Sequence, residues 1–331
     1  MDRRDLKALC AGAASAFALA WPLAMHAQQT DKMKRIGFLS SSSLAGSQTF
    51  RSCFSEGLAK LGWAEGQTVA IELRTLLDTP RPLPVLAEEL IHLRPDLLFA
   101  AGTPAAQVMQ RTVRDIPVVF AMVSDPVASG IVKSLARPEA NVTGVSNFLP
   151  ATTGKLLEFA KAIAPKATRV AFLYDPANGG KLLELKELRL LGPSQGVAIE
   201  PHELRNPEDI ERAFAALTKS PPGALIIPTD GVTLRGMDTL VQRAAKLRRP
   251  AIYQTREFVD AGGLMSYGLN VCQHFRNAAS HADKILKGAK PGDLPVELPT
   301  TFELIINLKT AKALGIKIPQ SVLLRADRVI E

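Results

Sequence analysis

Arg35-Ile-Gly-Phe-Leu-Ser40 and, 134 positions further on, Arg169-Val-Ala-Phe-Leu-Tyr174 are short apolar runs of strand length. Runs of this kind, separated by longer helical stretches, are the pattern of a parallel sheet covered by helices. Downstream of the first run, Phe50, Phe54, Leu58 and Leu61 recur at helical spacing. Strands are then expected at 69–74, 96–101 and 117–123, with helices near 82–93 and 104–114 and a shorter strand at 142–146. The second run opens the same series. Residues 197–202, 223–228, 250–254 and 263–267 stand for the second to fifth strands. Leu97 to Ala224 is an offset of 127 and Val118 to Ala251 one of 133, so the repeat is one of element order. The expected fold is α/β, with two doubly wound parallel-sheet lobes. The chain crosses between them near residues 146–154 and 268–275.

Length and composition agree. The 331 residues suffice for about two domains of roughly 150 residues each. A chain 47% hydrophobic and 22% charged is of ordinary globular mix, which excludes disordered, collagenous and coiled-coil chains. The net charge of +8 raises the question of nucleic acid. Its basic clusters, Lys32-Met-Lys-Arg35, Lys246-Leu-Arg-Arg249 and 284–290, are short, dispersed and not interleaved with aromatics. Single-strand binding needs stacking platforms, so no nucleic-acid partner is expected.

The first residues read as an export signal. Arg3, Arg4 and Lys7 precede an uncharged, alanine-rich stretch at 8–24, and polar Gln28-Gln29-Thr30 follows. Residues 1–27 are the expected signal peptide, cleaved after Ala27; an uncleaved anchor is the alternative. Arg3-Arg4 leaves the Sec and twin-arginine routes open, and Cys10 lies too early to be a lipoprotein cysteine. Loss of these residues removes one net positive charge and leaves +7 over 304 residues. Cys53 and Cys272 remain, far apart in sequence. Two separately buried thiols are expected ahead of a disulfide, which an oxidising compartment would permit.

In an open α/β sheet, ligands gather beyond the carboxyl ends of the strands. The loops there contain Ser40-Ser-Ser-Ser43, Gly102-Thr-Pro-Ala-Ala106, Ser124-Asp-Pro126 and Ser146-Asn147 in the first half. The second half supplies Tyr174-Asp-Pro-Ala-Asn178, Pro228-Thr-Asp230, Thr255-Arg-Glu257 and Ser266-Tyr-Gly268. Thr103-Pro104 reads as an N-cap hydroxyl before a first-turn proline. The N–H groups of Ala105 and Ala106 then favour an anion, with a bare helix cap as the equal alternative. Asp125-Pro126 and Asp175-Pro176 read as caps. Asp230 is open between a ligand contact and simple solvation. Tyr174, Tyr253 and Tyr267 sit near strand ends, where a ring stacks on an aromatic or sugar ligand or packs into the core; core packing is favoured for Tyr253.

Catalytic machinery is not evident. No GxGxxG follows the first strand, and Gly179-Gly-Lys181 lacks the leading glycine and the hydroxyl of a phosphate loop. Ser266 is one residue out of step with GxSxG. His274 and His281, seven apart, are expected to be exposed helix histidines rather than a metal pair. Nothing combines nucleophile, base and orienting group. A binding protein without cofactor or metal is expected, not an enzyme.

Several stretches carry a family resemblance. They are Lys34-Arg-Ile-Gly-Phe-Leu-Ser40, Gly57-Leu-Ala-Lys-Leu-Gly-Trp-Ala-Glu-Gly66, Ala100-Ala-Gly-Thr-Pro-Ala-Ala106, Ser124-Asp-Pro-Val127 and Asn141-Val-Thr-Gly-Val-Ser-Asn147. Two longer ones are Arg256-Glu-Phe-Val-Asp-Ala-Gly-Gly-Leu-Met-Ser-Tyr-Gly268 and Phe302-Glu-Leu-Ile-Ile-Asn-Leu-Lys-Thr-Ala-Lys-Ala-Leu-Gly315. With these, the chain resembles the periplasmic substrate-binding proteins of ABC transporters, in the family that includes tryptophan- and tyrosine-type binders.

The resemblance implies a type I periplasmic binding protein fold, with a three-crossover hinge and closure around a ligand. The N-terminal lobe would span 34–148 with a return segment near 270–298. The C-terminal lobe would span 152–268 and the segment 300–331 is left without a firm lobe, the third crossover falling near 299–307. Ser40, Ser41, Thr103, Pro104, Ala105, Asp125 and Asn147 would line the site from the first lobe, and Tyr174, Asn178, Asp230 and Tyr267 from the second. One arrangement sets a ligand carboxylate on the turn after Thr103, its ammonium against Asp230 and its ring on a tyrosine. The implied role is the periplasmic solute receptor of an importer, a monomer that takes up a small polar molecule such as an amino acid. Its implied partners are that small-molecule ligand and a membrane permease with a cytoplasmic ATPase. Alternatives are an exported sensor without a transport role and a two-lobed nucleotide-sugar enzyme.

Overall fold

A computed structural model describes residues 33–42, 44–76, 81–147 and 150–331. The signal-peptide reading of residues 1–27, with Cys10, and the last serine of the first loop, Ser43, lie outside the described residues.

The first lobe is built from β1 (Lys34–Ser40), α1 (Leu44–Lys60), β2 (Val69–Thr75), α2 (Leu83–His92), β3 (Leu97–Ala101), α3 (Thr103–Thr112), β4 (Val118–Val123) and β5 (Val142–Ser146). The strands form one parallel sheet in the order β2-β1-β3-β4-β5. Because successive side chains point to opposite faces, each central strand feeds two cores. Ile36, Phe38, Leu97 and Phe99 pack on one face; Leu39, Leu98 and Ala100 pack on the other, beneath α2 and α3.

The second lobe follows with α4 (Pro150–Ile163), β6 (Arg169–Tyr174), α5 (Gly179–Leu191), β7 (Ala198–Glu203), α6 (Pro207–Lys219), β8 (Ala224–Ile227), α7 (Gly231–Arg235), α8 (Met237–Leu247), β9 (Ala251–Tyr253), α9 (Arg256–Asp260) and β10 (Met265–Gly268). Here the order β7-β6-β8-β9-β10 is that of the first lobe, strand for strand. The sheet is extended by β11 (Glu303–Asn307) and β12 (Arg328–Ile330). The join of β10 to β11 is antiparallel, a departure from the all-parallel expectation. Between β11 and β12 lie α11 (Leu308–Leu314) and α12 (Gln320–Leu323).

The chain leaves the second lobe after β10, and α10 (Val271–Leu286) returns to the first. Val271, Phe275, Ala278, Ala279 and Ala282 join the same core as Phe38, Phe54 and Phe99. Phe50 and Phe275 stack with centroids 4.6 Å apart. Cys53 on α1 and Cys272 on α10 form a disulfide, their Cα atoms 5.1 Å apart. This corrects the expectation of two separate thiols. The return of α10 onto α1 cancels a sequence separation of 219 residues.

His274 and His281 face inward from α10 and are 6% and 1% exposed, which corrects their reading as exposed. They share the helix face of Ala278 and Ala282, since positions three, four and seven apart lie on one side. Among the described residues there is no group of three or more His, Cys, Asp or Glu placed to hold a metal ion.

Candidate functional site

The lobes face each other across the carboxyl ends of their strands, and a partly open cavity of about 30 Å³ lies between them. Met122 at the end of β4 and Asn147 after β5 come from the first lobe. The second lobe contributes Thr152 and Thr153 from the first turn of α4, Glu184 from α5, Thr229, Gln254 and Thr255 from the loops after β8 and β9, and Tyr267 and Gly268 from β10. Leu269 and Phe302 close it from the crossing segments.

Local structure explains several of these positions. The β4–β5 register shifts between Phe120 and Val123, and Met122 there adopts φ 57°, in the left-handed region. Such strain persists only where surroundings impose it. The Met122 N–H donates to His274 Nε2 at 3.4 Å, which requires that nitrogen to be unprotonated. Burial pushes the His274 pKa down to about 4, against an opposing hydrogen bond with the Val145 backbone. Tyr267 stands edge-on to Phe159 at 5.2 Å and stacks on Phe302 at 5.8 Å and 25°. These two rings form the apolar wall.

Glu184 is the one charged side chain lining the cavity among the described residues, and it is neutralised within the fold. Its Oε1 accepts from Lys181 Nζ at 2.6 Å, and its Oε2 from Gln254 Nε2 at 2.7 Å. Gln254 Oε1 accepts from Lys181 Nζ at 3.2 Å and from the Thr229 N–H at 2.9 Å. Lys181 and Glu184 are 1% and 3% exposed. The loop of bonds satisfies both charges, as burial demands. It reaches the other lobe through Ser124, whose hydroxyl lies 3.2 Å from Glu184 Oε1 and 3.3 Å from Asn147 Oδ1.

Of the expected site residues, Asn147 and Tyr267 line this cavity. Ser40 is buried and its Oγ accepts from Ser47 and the Ser42 N–H. Ser41 donates to the Ala101 carbonyl. Thr103 is not the N-cap of α3. That place falls to Gly102, at φ 98°, where a Cβ would lie 2.2 Å from Ser41 Oγ. Thr103 Oγ1 instead accepts from the Ser124 N–H at 3.1 Å, with Pro104 following in the first turn and Ala105 fully buried. Asp125, at φ 39°, accepts from the Ala128 N–H.

In the second lobe, Tyr174 points into the core and stacks on Phe172 at 5.3 Å. Asn178 caps α5. Asp230 caps α7 through the Thr233 N–H at 2.8 Å, and its other oxygen accepts from the Asp175 N–H at 3.0 Å. Both oxygens being so held, Asp230 takes the place of neither a solvated group nor a free partner for an ammonium. Burial raises its pKa, the two backbone hydrogen bonds opposing. Burial likewise lifts Asp175 to about 6, with neighbouring Asp230 adding to the rise against the hydrogen bond from Ala177. Tyr253, fully buried, stacks on Phe258 at 4.7 Å.

Sequence reasoning passed over Lys181, Glu184, Gln254 and Phe302. The signal for the first two was present: Lys181 and Glu184 fall on the same helix face as Leu185 and Leu188, all buried. A charged pair at core spacing asks for a buried partner.

The family model for ABC transporter substrate binding proteins matches residues 36–330. The chain belongs to that family. It is a solute-binding protein of an ABC transporter, in a non-enzymatic family with the periplasmic binding fold. It is 26% identical over 264 residues to the tyrosine-binding protein of Clostridioides difficile (strain R20291), covering 80% of this chain and 76% of that one. Among solved structures, it is similar to an ABC domain in complex with L-Trp from Streptococcus pneumonia, with TM-score 0.83 and 28% identity over 90% of this chain and 100% of that chain. It is also similar to the ligand-free, open structure of a substrate binding protein with adhesive properties from Clostridium difficile. There the TM-score is 0.65 at 26% identity, over 90% of this chain and 99% of that chain. In this chain the lobes touch through Ser124 and Glu184.

Proposed function

We propose that this protein takes up an aromatic amino acid outside the cytoplasm and presents it to a membrane permease driven by a cytoplasmic ATPase. The observation that carries the reading is the Tyr267–Phe302 ring pair on the wall of a cavity whose polar lining carries no unpaired charge. A planar side chain suits such a wall, because offset stacking adds to area burial. Absence of an unbalanced charge suits a ligand of zero net charge, as a zwitterion is.

In this reading the ligand ring lies on Tyr267 and Phe302. Its carboxylate faces the first turn of α4 at Thr152 and Thr153, where N–H groups lack helical partners. Its ammonium faces the side-chain oxygen of Asn147. Thr103, Asn178 and Asp230 then support the walls rather than touch the ligand, and so do Ser40, Ser41, Pro104, Ala105, Asp125 and Tyr174. The relatives that bind tyrosine and L-Trp support the amino-acid class. The Cys53–Cys272 disulfide supports export to an oxidising compartment such as the periplasm, where the protein works as a monomer.

A thermal-shift screen of the chain from residue 28 with the twenty amino acids, purines and sugars tests it, since a ligand that binds only the folded state raises the melting point. L-tryptophan, L-tyrosine or L-phenylalanine should give the largest rise. A larger rise with a sugar or purine overturns the amino-acid reading.

A further inference from the structure

The lobes meet where the first turn of α5 lies against the strand ends of the first lobe. A Cβ on Gly180 would lie 2.5 Å from Ser124 Cβ, 2.8 Å from Ser124 Oγ and 3.0 Å from Thr103 Oγ1. The first two separations are closer than nonbonded atoms tolerate. Nothing in the backbone of Gly180 calls for glycine: it is an α-helical position, where alanine is favoured by about 1 kcal/mol. Its own lobe therefore gives no reason for the missing side chain. The other lobe does. Ser124 is held against retreat, its N–H on Thr103 Oγ1 and its carbonyl accepting from Ser129 Oγ at 2.7 Å. One turn along α5, the Ser124 hydroxyl meets Glu184.

We propose that Gly180 is the closure-determining residue of this protein: the absent side chain lets α5 seat on Ser124 and Thr103, and any side chain there holds the lobes apart. Ser124 serves both as the surface that α5 meets and as the hydrogen-bonding group that catches it. Solute affinity is set in part at a position that does not touch the solute, because a binding-competent state that is less populated lowers apparent affinity in proportion. That last consequence rests on the proposed solute site; the closure role does not.

The test traps the closed state without ligand. Gln107 Nε2 lies 3.6 Å from a Cβ built on Gly179, so a Gln107→Cys/Gly179→Cys variant of the chain from residue 28, which lacks Cys10, takes a short bis-maleimide across the lobes when they close. Cys53 and Cys272, joined to each other, do not react. In that chain Gly180→Ala should cut the crosslinking rate by roughly tenfold or more, with helix content and melting temperature equal to or above the parent. In a Ser124→Gly background, Gly180→Ala should change the rate little, since the colliding atoms are gone. An unchanged rate for Gly180→Ala overturns the proposal. So does a drop that persists in the Ser124→Gly background or comes with a lowered melting temperature. Small-angle scattering with L-tryptophan adds the solute: the parent should compact and Gly180→Ala should not. If neither compacts while the crosslinking holds, the solute reading fails and the closure role stands.

Discussion

The hydroxyl of Ser124 in one lobe lies 3.2 Å from the carboxylate of Glu184 in the other, and that carboxylate is also bound to the buried ammonium of Lys181. The contact between lobes thus ends on an ion pair at the cavity wall. Closure and the electrostatics of the site are one network.

Removing one member of a buried pair leaves an uncompensated charge, whereas replacing both is close to neutral. Lys181→Met should therefore cost about 3–5 kcal/mol, read as a lower midpoint of urea unfolding. Lys181→Met/Glu184→Leu should recover most of it. Equal losses in the single and double variants would show that the two side chains are not coupled.

Reduction of the disulfide gives a second expected outcome. The bond ties α1 to α10, which arrive in the same lobe from positions 219 residues apart. Crosslinks over long loops restrict the unfolded chain, and loss of such a bond typically costs 2–5 kcal/mol. In the chain from residue 28, Cys53→Ser/Cys272→Ser should melt well below the parent, and the parent should show no free thiol under denaturing, non-reducing conditions. Two reactive thiols in the parent would contradict the pairing.

The disulfide could not be read from one strand or helix at a time, and that marks where sequence reasoning stopped. The alternation of apolar runs and helices, repeated after Arg169, carries the two sheets and their identical strand orders, because burial on both faces leaves continuous apolar strands. The return of α10 and the antiparallel β11 depend on where the chain goes after Gly268, which no local pattern encodes. Tyr174 was legible. It shares strand parity with Val170 and Phe172, both buried on the same side, and so faces the core. Asp230 was legible too, since Asp230 and Thr233 have the spacing of a capping box. The cavity was half legible: Asn147 and Tyr267 sit in expected loops, but Phe302 arrives on a crossing segment and Glu184 from inside a helix.

Titration of His274 supplies a third prediction. Its pKa is about 4 in the folded protein and near 6.5 when unfolded, so between these values the unfolded chain binds more protons. Its contribution is complete above pH 6.5 and fades as pH falls toward 4, by about 3 kcal/mol. Asp175 acts in the opposite direction. Raised to about 6, it favours the fold most at low pH and loses that contribution as pH rises from 4 to 6. His274→Gln keeps an acceptor for the Met122 N–H and should abolish the acid-side loss, so that its stability relative to the parent rises as pH falls from 6.5 to 4. Parallel urea-unfolding curves for parent and variant across that range would contradict the assignment.

The central claim is that an aromatic amino acid is enclosed between the lobes against Tyr267 and Phe302. Calorimetric titration of the chain from residue 28 with L-tryptophan, L-tyrosine and L-phenylalanine, repeated on Tyr267→Ala, addresses it most directly. At least one of the three should bind with a negative heat-capacity change, as apolar burial requires. Tyr267→Ala should weaken that binding by roughly tenfold or more, the factor expected for about 1.5 kcal/mol of ring contact. Binding unaltered by Tyr267→Ala, or no binding of any of the three, would contradict the account.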